Sequence, residues 1–226
     1  MDTSQQQQQV EQNLQSFSQL GQDVWVYSTL GEKRNGYFVE CGAGDGINLS
    51  NTLALERHFG WKGICIECSE EFASLCRNRT CACDSSCVSD TDGDLVTFLQ
   101  DEKYGHHHHF SGIKSLINCH QPEGKEYQMQ TKTLATVLRQ HKAPRVMDYL
   151  SLDTEGSEYV ILSAFPHHEY RFNCITVEHN FQERERERIR RLLESSGYIR
   201  VEQRQWDDFY LDRSLLPNPP TSSGMQ

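Results

Sequence analysis

The sequence lacks a long hydrophobic run. No stretch of about 18 apolar residues occurs, which is the length that a helix needs to cross a bilayer. The N-terminus is rich in glutamine, whereas a signal peptide would carry basic residues followed by an apolar segment. We therefore expect neither a transmembrane span nor a signal peptide, and we expect a cytoplasmic protein.

Positive charge is also scarce. The chain has 22 Lys and Arg residues against 32 Asp and Glu residues, which gives a net charge of -10. Such a surface repels the phosphate backbone of a nucleic acid unless a local basic patch compensates. No cluster of Lys and Arg occurs beyond one helix face, so a nucleic acid partner is not expected.

Apolar residues make up only 36% of the chain, but they gather into discrete runs. A length of 226 residues suits one compact domain. We assign this domain to residues 10–212, with a disordered glutamine-rich tail at 1–9 and a second disordered tail at 213–226.

The paired CxxC spacing of common zinc sites is absent, although the chain has nine cysteines. Most of them lie in apolar runs, as reduced core thiols usually do. The segment CRNRTCACDSSC holds four: Cys76, Cys81, Cys83 and Cys87. Its spacing favours buried or partly exposed thiols, and the alternative is a disulfide or an adventitious metal.

What the sequence does contain is a regular alternation of short apolar runs and amphipathic segments. The predicted strands cover residues 36–41, 62–67, 81–89, 147–153 and, ending near Glu178, 173–178. The predicted helices cover residues 10–17, 21–31, 48–60, 69–79, 133–141, 155–165 and 182–196. This alternation predicts an α/β fold with a parallel sheet covered on both faces, and residues 198–211 add an antiparallel hairpin.

A glycine-rich turn follows the first predicted strand. Its glycines, Gly42, Gly44 and Gly46, have the spacing GxGxG, and no Lys-Ser or Lys-Thr follows. The turn is therefore not a P-loop, and it differs from the GxGxxG of dinucleotide sites. In open parallel sheets, ligands bind beyond the carboxyl ends of the strands, where this turn is predicted to lie.

Acidic residues flank the turn and indicate its ligand. A carboxylate of Glu40 or Asp45 near a phosphate would cost about 4 kcal/mol at an effective dielectric constant near 20. A ligand with an ammonium group and a sulfonium reverses this sign, and S-adenosylmethionine carries both. Glu67 ends the second predicted strand, where an acid can accept hydrogen bonds from both ribose hydroxyls.

Several ordered motifs between residues 18 and 205 resemble one family. They are SQLGQDVWVYSTL, GYFVECGAGDG, LSNTLALE, GWKGICIE, CRNR, VSD, DYLSLDTEGSEYVIL and ITVEHN. Together they resemble the FkbM-type S-adenosylmethionine-dependent methyltransferases, in particular the branch related to the animal Star proteins. The resemblance implies the class I methyltransferase fold, a Rossmann-like sandwich around a seven-stranded, mostly parallel sheet, with O-methylation as the usual activity.

The resemblance also implies roles for individual residues. Those matching cofactor-binding positions are Glu40, Gly42, Ala43, Gly44, Asp45, Ser50, Asn51, Glu67, Ser89 and Asp90, the last two beside adenine. The family's D-x-E-G motif is matched by Asp153, Glu155 and Gly156.

Candidate catalytic residues lie at two predicted strand ends. Asp153 and Glu155 follow one strand, while Glu178 and His179 end the next along the chain, and such ends converge over the cofactor. Asp153, Glu178 and His179 could bind Mg²⁺ or Mn²⁺, which would lower the pKa of an acceptor hydroxyl, as in metal-dependent O-methyltransferases of the catechol type. Alternatively, His179 acts as general base without a metal, or it merely ends the strand while Glu178 pairs with an Arg.

Residues 101–126 are too long and polar for an ordinary connection, so they predict a lid or substrate loop. Their four consecutive histidines, 106–109, indicate a solvated loop or an adventitious metal site, and a functional role would be to gate the acceptor pocket.

The sequence thus predicts a methyltransferase that acts on a hydroxyl of a small molecule or glycan. The alternative is a non-catalytic module that keeps the methyltransferase fold for binding or trafficking. A nucleotide-dependent dehydrogenase would share the sheet, but it disagrees with the acids and the spacing of the glycine turn.

Overall fold

A computed structural model describes residues 16–103, 110–117 and 121–216. The glutamine-rich tail, most of the predicted helix 10–17, the four histidines and residues 217–226 lie outside the described residues. Residues Arg213–Leu215, which the sequence analysis assigned to the C-terminal tail, form a short 3-10 helix. No helix among the described residues is both long and apolar enough to cross a membrane.

The main sheet has seven strands. Their bounds are β1 Tyr37–Cys41, β2 Lys62–Ile66, β3 Ala82–Asp84, β8 Val146–Leu152, β9 Arg171–Glu178, β10 Tyr198–Arg204 and β11 Asp207–Asp212. They lie in the order β10-β11-β9-β8-β1-β2-β3. Strand β11 runs antiparallel to both of its neighbours, and the other paired strands run parallel to one another. The predicted mostly parallel, seven-stranded sheet with an antiparallel hairpin is confirmed.

Six α-helices of the described chain cover this sheet. They are α1 Gln22–Thr29, α2 Leu53–Phe59, α3 Phe72–Asn78, α4 Leu134–Gln140, α5 Glu158–Ala164 and α6 Glu183–Ser195. Apolar side chains of α1, α2 and α3 pack on one face, and those of α4, α5 and α6 pack on the other. The resulting three-layer sandwich is the class I methyltransferase fold that the motifs predicted.

Strand β8 illustrates why these runs form central strands. Successive side chains of a strand point to opposite faces, and here both faces are covered, so nearly every position must be apolar. Tyr149 packs in the core on the α1 side, and Leu150 packs in the core on the α4 side. Both side chains are fully buried.

A second sheet is formed by four strands between β3 and β8. They are β4 Cys87–Ser89, β5 Leu95–Asp101, β6 Gly112–Ile113 and β7 Gly124–Thr133, in the order β4-β7-β5-β6. Residues 101–126 are thus not a plain loop in their described part, since they contain β6 and the start of β7. The second sheet packs closely on the main domain at Gly156, where an added Cβ would lie 2.2 Å from the carbonyl oxygen of Leu116.

The predicted third strand over residues 81–89 is wrong, because the segment divides between the two sheets. Strand β3 joins the main sheet, whereas β4 pairs with β7 of the second sheet. The backbone N–H of Ser86 donates to the side chain of Asp84 at 2.9 Å, and this local turn separates the two strands.

Candidate active site

A cavity of about 630 Å³ opens at the carboxyl ends of the main sheet. From β1 the chain continues to β2 and β3 on one side of the sheet, whereas β8 and β9 lie on the other side of β1. The order of the strands therefore reverses between β1 and β8. A crevice at such a reversal is the usual ligand site of open α/β sheets, and its volume suits a small-molecule ligand. The turn after β1 and the loop after β8 both line it.

The glycine turn brings the backbone of these two loops into contact. Gly42 has a φ of +80°, and a Cβ at this position would lie 1.6 Å from the carbonyl oxygen of Asp153. Gly44 has a φ of +53° and lines the cavity, and a Cβ added there would meet no heavy atom of another segment within 4 Å. Gly42 is therefore required for packing, whereas Gly44 leaves room for a ligand.

Glu40 is buried, and several protein donors already bind its carboxylate. The backbone N–H of Asn51 donates to it at 2.6 Å, the hydroxyl of Thr52 at 2.5 Å, and the guanidinium of Arg79 lies 3.2 Å away. These contacts tie the end of β1 to the start of α2. The charge of Glu40 is thus compensated within the protein.

Asp45 and Glu67 also shape the turn. The carboxylate of Asp45 accepts hydrogen bonds from the backbone N–H groups of Ile47 and Asn48, both at 2.8 Å. Glu67 accepts from the backbone N–H groups of Gly44 and Ser69, also at 2.8 Å each. The two bonds to Asp45 end on the same oxygen, Oδ1, whereas those to Glu67 end on different oxygens, so each oxygen of Glu67 can accept a second hydrogen bond. Both side chains line the cavity.

Asn51 presents an unused acceptor. Its side-chain amide donates to the hydroxyl of Ser151 at 2.8 Å, but its Oδ1 is buried and has no hydrogen-bond partner among the described residues. Only 7% of Asn51 is exposed, and the residue lines the cavity. A buried acceptor without a donor costs free energy, so this position fits a ligand that carries an N–H or O–H group.

A row of carboxylates lies at the ends of three neighbouring strands. Asp207 at the start of β11 is the register partner of Glu178 at the end of β9. Asp153 follows β8, and an oxygen of its carboxyl group lies within 4.8 Å of one of Glu178. Because β11 is antiparallel, its first residue lies at the same edge of the sheet as the last residues of β8 and β9. We call Asp153, Glu178 and Asp207 the acid row.

Burial makes these carboxyl groups hold protons more tightly than usual. Desolvation, with the neighbouring acids, raises the pKa of Asp153 to about 7 and that of Asp207 to about 6. Desolvation and the adjacent Asp153 raise the pKa of Glu178 well above its usual range. Asp153 and Glu178 therefore share a proton near neutral pH.

Glu155 lies beside the acid row, in the loop after β8. Ligand atoms of Asp153, Glu155 and Glu178 all lie within 4.8 Å of one another. The backbone is strained here, since Glu155 has a φ of +60° and Asn180 a φ of +47°. The amide of Asn180 donates to Glu178 at 2.5 Å and to Glu155 at 3.3 Å, which holds the group together.

His179 does not join this group, and this corrects its sequence-based placement. Glu178, the last residue of β9, lines the cavity, whereas His179, the first residue after the strand, does not. Its Nδ1 accepts from the backbone N–H of Phe181 at 3.2 Å, and its Nε2 lies 3.8 Å from Asp208. The ring is buried and does not line the cavity, and desolvation lowers its pKa.

The predicted adenine contacts also lie outside the main cavity. Ser89 is buried at the end of β4, where its hydroxyl donates to Asp90 at 3.3 Å. A small adjoining cavity of about 50 Å³ is lined instead by Cys87 and Val88 of the same strand. The segment is near the site, but the two predicted residues line neither cavity.

Several residues of the cavity wall were not predicted from the sequence, and Asp207, Phe181 and Trp206 are among them. Asp207 begins the second strand of the closing hairpin, and Phe181 and Trp206 stand beside the acid row with their rings 6.1 Å apart. The antiparallel direction of the second hairpin strand was the available signal, because it places Asp207 at the ligand edge. Phe181 follows a strand end and carries no such signal.

The methyltransferase FkbM domain matches residues 40–200 of this sequence. The chain belongs to the FkbM methyltransferase family. The match spans the glycine turn, both acidic strand ends and α6, so the sequence-based resemblance to this family is confirmed. Membership supports S-adenosylmethionine-dependent methyl transfer and implies S-adenosylmethionine as the cofactor. The Star-like branch, the cytoplasmic location and the exclusion of nucleic acid stay predictions.

Three solved structures that are similar to this FkbM protein are described as methyltransferases. A candidate RNA methyltransferase from Pyrococcus horikoshii is 10% identical, with 84% of this chain and 80% of that chain covered and a TM-score of 0.45. Precorrin-6y C5,15-methyltransferase from Geobacter metallireducens is 10% identical, with 88% and 93% covered and a TM-score of 0.43. A methyltransferase from Pyrococcus furiosus is 14% identical, with 84% and 82% covered and a TM-score of 0.38. No curated protein matches the chain.

Proposed function

We propose that this FkbM protein transfers a methyl group from S-adenosylmethionine to a hydroxyl oxygen of a small molecule or glycan. The observation that carries the proposal is a single cavity that joins the glycine turn of β1 to the acid row of β8, β9 and β11. The first part suits a cofactor and the second suits proton removal. These are the two requirements of methyl transfer to oxygen.

The residues of the β1 and β2 ends fit the cofactor. Gly44 leaves open space at the cavity wall, and Asn51 Oδ1 has no donor within the described protein. The two carboxylate oxygens of Glu67 accept backbone hydrogen bonds from the turn and its neighbourhood, and each can accept one more, from a ribose hydroxyl. When bound, S-adenosylmethionine supplies a methyl group on a positively charged sulfur, and transfer to the acceptor oxygen leaves a neutral thioether.

Asp153 and Glu178 take the role of general base that the sequence analysis gave to His179. A base for a hydroxyl should have a pKa near the working pH, and burial raises the pKa of Asp153 to about 7. The acceptor proton would pass to this pair as the new carbon–oxygen bond forms. Glu155 and Asn180 hold the pair in position.

A divalent ion is the second way to activate the acceptor. The oxygens of Asp153, Glu155 and Glu178 are hard donors of the kind that Mg²⁺ and Mn²⁺ prefer, and their mutual distances allow one ion to bind all three. Glu155 then replaces His179 in the metal set that the sequence predicted. Such an ion would lower the pKa of the acceptor hydroxyl.

The test is methyl transfer from labelled S-adenosylmethionine to a panel of hydroxyl compounds, with and without chelator. Activity that survives chelation and falls about 10²-fold or more in Glu178→Gln supports the carboxylate base. Activity that requires added Mg²⁺ or Mn²⁺ supports the metal. Cofactor binding without transfer to any hydroxyl would contradict the proposal and favour the non-catalytic binding module.

A further inference from the structure

The acids of the cavity fall into two groups according to how the protein compensates them. Glu40, at the end of β1, faces the guanidinium of Arg79 at 3.2 Å. Asp45 and Glu67 each accept two backbone N–H groups, as described above. The acids of the β1 and β2 half thus meet cations or amide dipoles of the protein itself.

The acid row in the other half of the cavity accepts hydrogen bonds from neutral side-chain amides, but no cation of the described lining faces it. Among the described residues that line the cavity, none is Lys, Arg or His. Asp207 accepts a hydrogen bond from the neutral amide of Gln22, at 2.8 Å, and Glu178 accepts one from the neutral amide of Asn180. Asp207 and Glu178 lie directly opposite each other on neighbouring strands, and no cation among the described lining residues balances the negative charge of the row.

Further features of the wall indicate a positively charged donor. Phe181 is 66% exposed, and its ring forms an edge contact with Trp206 next to Asp207. Aromatic faces attract ammonium and guanidinium groups. The buried Oδ1 of Asn51 lines the same cavity and lacks a donor among the described residues, so the wall has one more acceptor for an N–H or O–H group of a ligand.

We propose that the methyl acceptor carries an ammonium or guanidinium group beside its hydroxyl, and that Asp207 and the aromatic pair Phe181 and Trp206 bind this cation. This inference rests on the proposed function, since it names the substrate class of the same site. A neutral acceptor would leave the acid row uncompensated, and an anionic acceptor would be repelled by it.

The position of Asp207 separates this proposal from the metal. The three carboxylates that could bind one metal ion are those of Asp153, Glu155 and Glu178, and Asp207 is not among them. It would leave the charge of Asp207 and the aromatic pair without a function. A cationic acceptor accounts for Asp207 and the aromatic pair in one contact.

The experiment is calorimetry on the protein loaded with S-adenosylhomocysteine, with three hexoses that differ in charge. D-glucosamine is cationic when its amine is protonated, D-glucose is neutral and D-glucuronate is anionic. We expect D-glucosamine to bind about tenfold or more tightly than D-glucose, and D-glucuronate to bind most weakly, because a charge-assisted hydrogen bond contributes about this much.

Two variants test whether the preference for D-glucosamine arises in the cavity. Asp207→Asn keeps the shape and should remove most of the preference for D-glucosamine over D-glucose. Asp94→Asn removes the same charge from an exposed position that does not line the cavity and should leave the preference unchanged. Equal binding of D-glucosamine and D-glucose, no binding of any hexose, or an unchanged preference in Asp207→Asn would overturn the inference.

Two controls separate this inference from the proposed function. Failure of S-adenosylhomocysteine itself to bind counts against the proposed function, whereas its binding without a charge preference counts against the cationic acceptor alone. If Mg²⁺ strengthened D-glucose binding and removed the D-glucosamine preference, the acid row would serve a metal and the inference would be wrong.

Discussion

At the level of single residues, Gly42 decides whether the two halves of the cavity can meet. Its backbone passes so close to Asp153 that no side chain fits, and its φ of +80° disfavours any other residue. Gly44, two positions on, shares the left-handed conformation but faces open space. Substitution of Gly44 therefore measures the free-energy cost of the left-handed conformation alone, and substitution of Gly42 measures that cost together with the cost of a steric clash.

We expect Gly42→Ala to lower the free energy of unfolding by at least about 3 kcal/mol, because it combines left-handed strain with a backbone clash. Gly44→Ala should cost only about 1–2 kcal/mol, since it carries the strain alone. Urea unfolding of both variants measures the difference. Equal costs would show that the loops after β1 and β8 are not packed as described.

Glu178 and His179 are neighbours in sequence but lie in different environments, so their substitutions should have different effects. We expect Glu178→Gln to lower kcat by about 10²-fold or more and His179→Ala to retain most activity, because only Glu178 lines the cavity. Steady-state kinetics with the best hydroxyl acceptor measures both. A loss in His179→Ala as large as that in Glu178→Gln would restore the sequence-based role of His179.

Protonation of the acid row also predicts how stability depends on pH. In the folded protein Glu178 has a pKa well above its usual range, so the native state binds a proton that the unfolded chain has released. Its contribution favours the folded state at low pH and is lost as the pH rises through the folded pKa. Replacement by Gln, which stays neutral, should thus stabilise the protein at pH 8 and have little effect at pH 4. Thermal unfolding across this pH range is the measurement, and destabilisation at pH 8 would contradict the raised pKa.

At the level of elements, Arg79 joins three segments at the base of the glycine turn. It follows α3, contacts Glu40 of β1 at 3.2 Å and binds Glu56 of α2 at 2.6 Å. Its side chain is fully buried, and desolvation opposes its charge while the surrounding acids hold it protonated. The start of α2 and the end of β1 therefore depend on one side chain from a third element.

We expect Arg79→Met to destabilise the protein by about 3–5 kcal/mol, because it leaves the buried carboxylates of Glu40 and Glu56 without their cation. Arg191→Met is the matched control, since Arg191 pairs with Glu187 on the exposed face of α6. Its cost should stay below about 1 kcal/mol. Denaturant unfolding compares them, and similar costs would argue against the buried network.

The sequence predicted elements well where an apolar run had one interpretation. Strands β1, β2, β8 and β9 are buried on both faces, so their runs are nearly continuous. The second sheet could not be predicted in this way, because β7 is largely exposed and polar, and its pairing with β5 depends on contacts distant in sequence. The direction of the His179 ring likewise depends on where β9 ends, which a run of apolar residues does not fix.

At the scale of the whole molecule, the cavity has two halves. The ends of β1 and β2 border the half that suits the cofactor, and β8, β9 and β11 border the half that suits the acceptor. The acids of the first half are compensated by Arg79 and backbone amides, whereas the acid row of the second is not met by a cation among the described lining residues. Methyl transfer needs a ligand in each half at the same time. The central claim is therefore that the β1 and β2 half binds S-adenosylmethionine.

Calorimetric titration of the intact protein with S-adenosylhomocysteine tests this claim most directly. We predict binding with a Kd below about 1 mM, weakened about tenfold or more in Glu67→Ala, because Glu67 would accept the ribose hydroxyls. Glu185→Gln, on the surface of α6, should bind as the unaltered protein does. No detectable binding, or binding that is the same in Glu67→Ala, would contradict the assignment of the glycine turn to the cofactor.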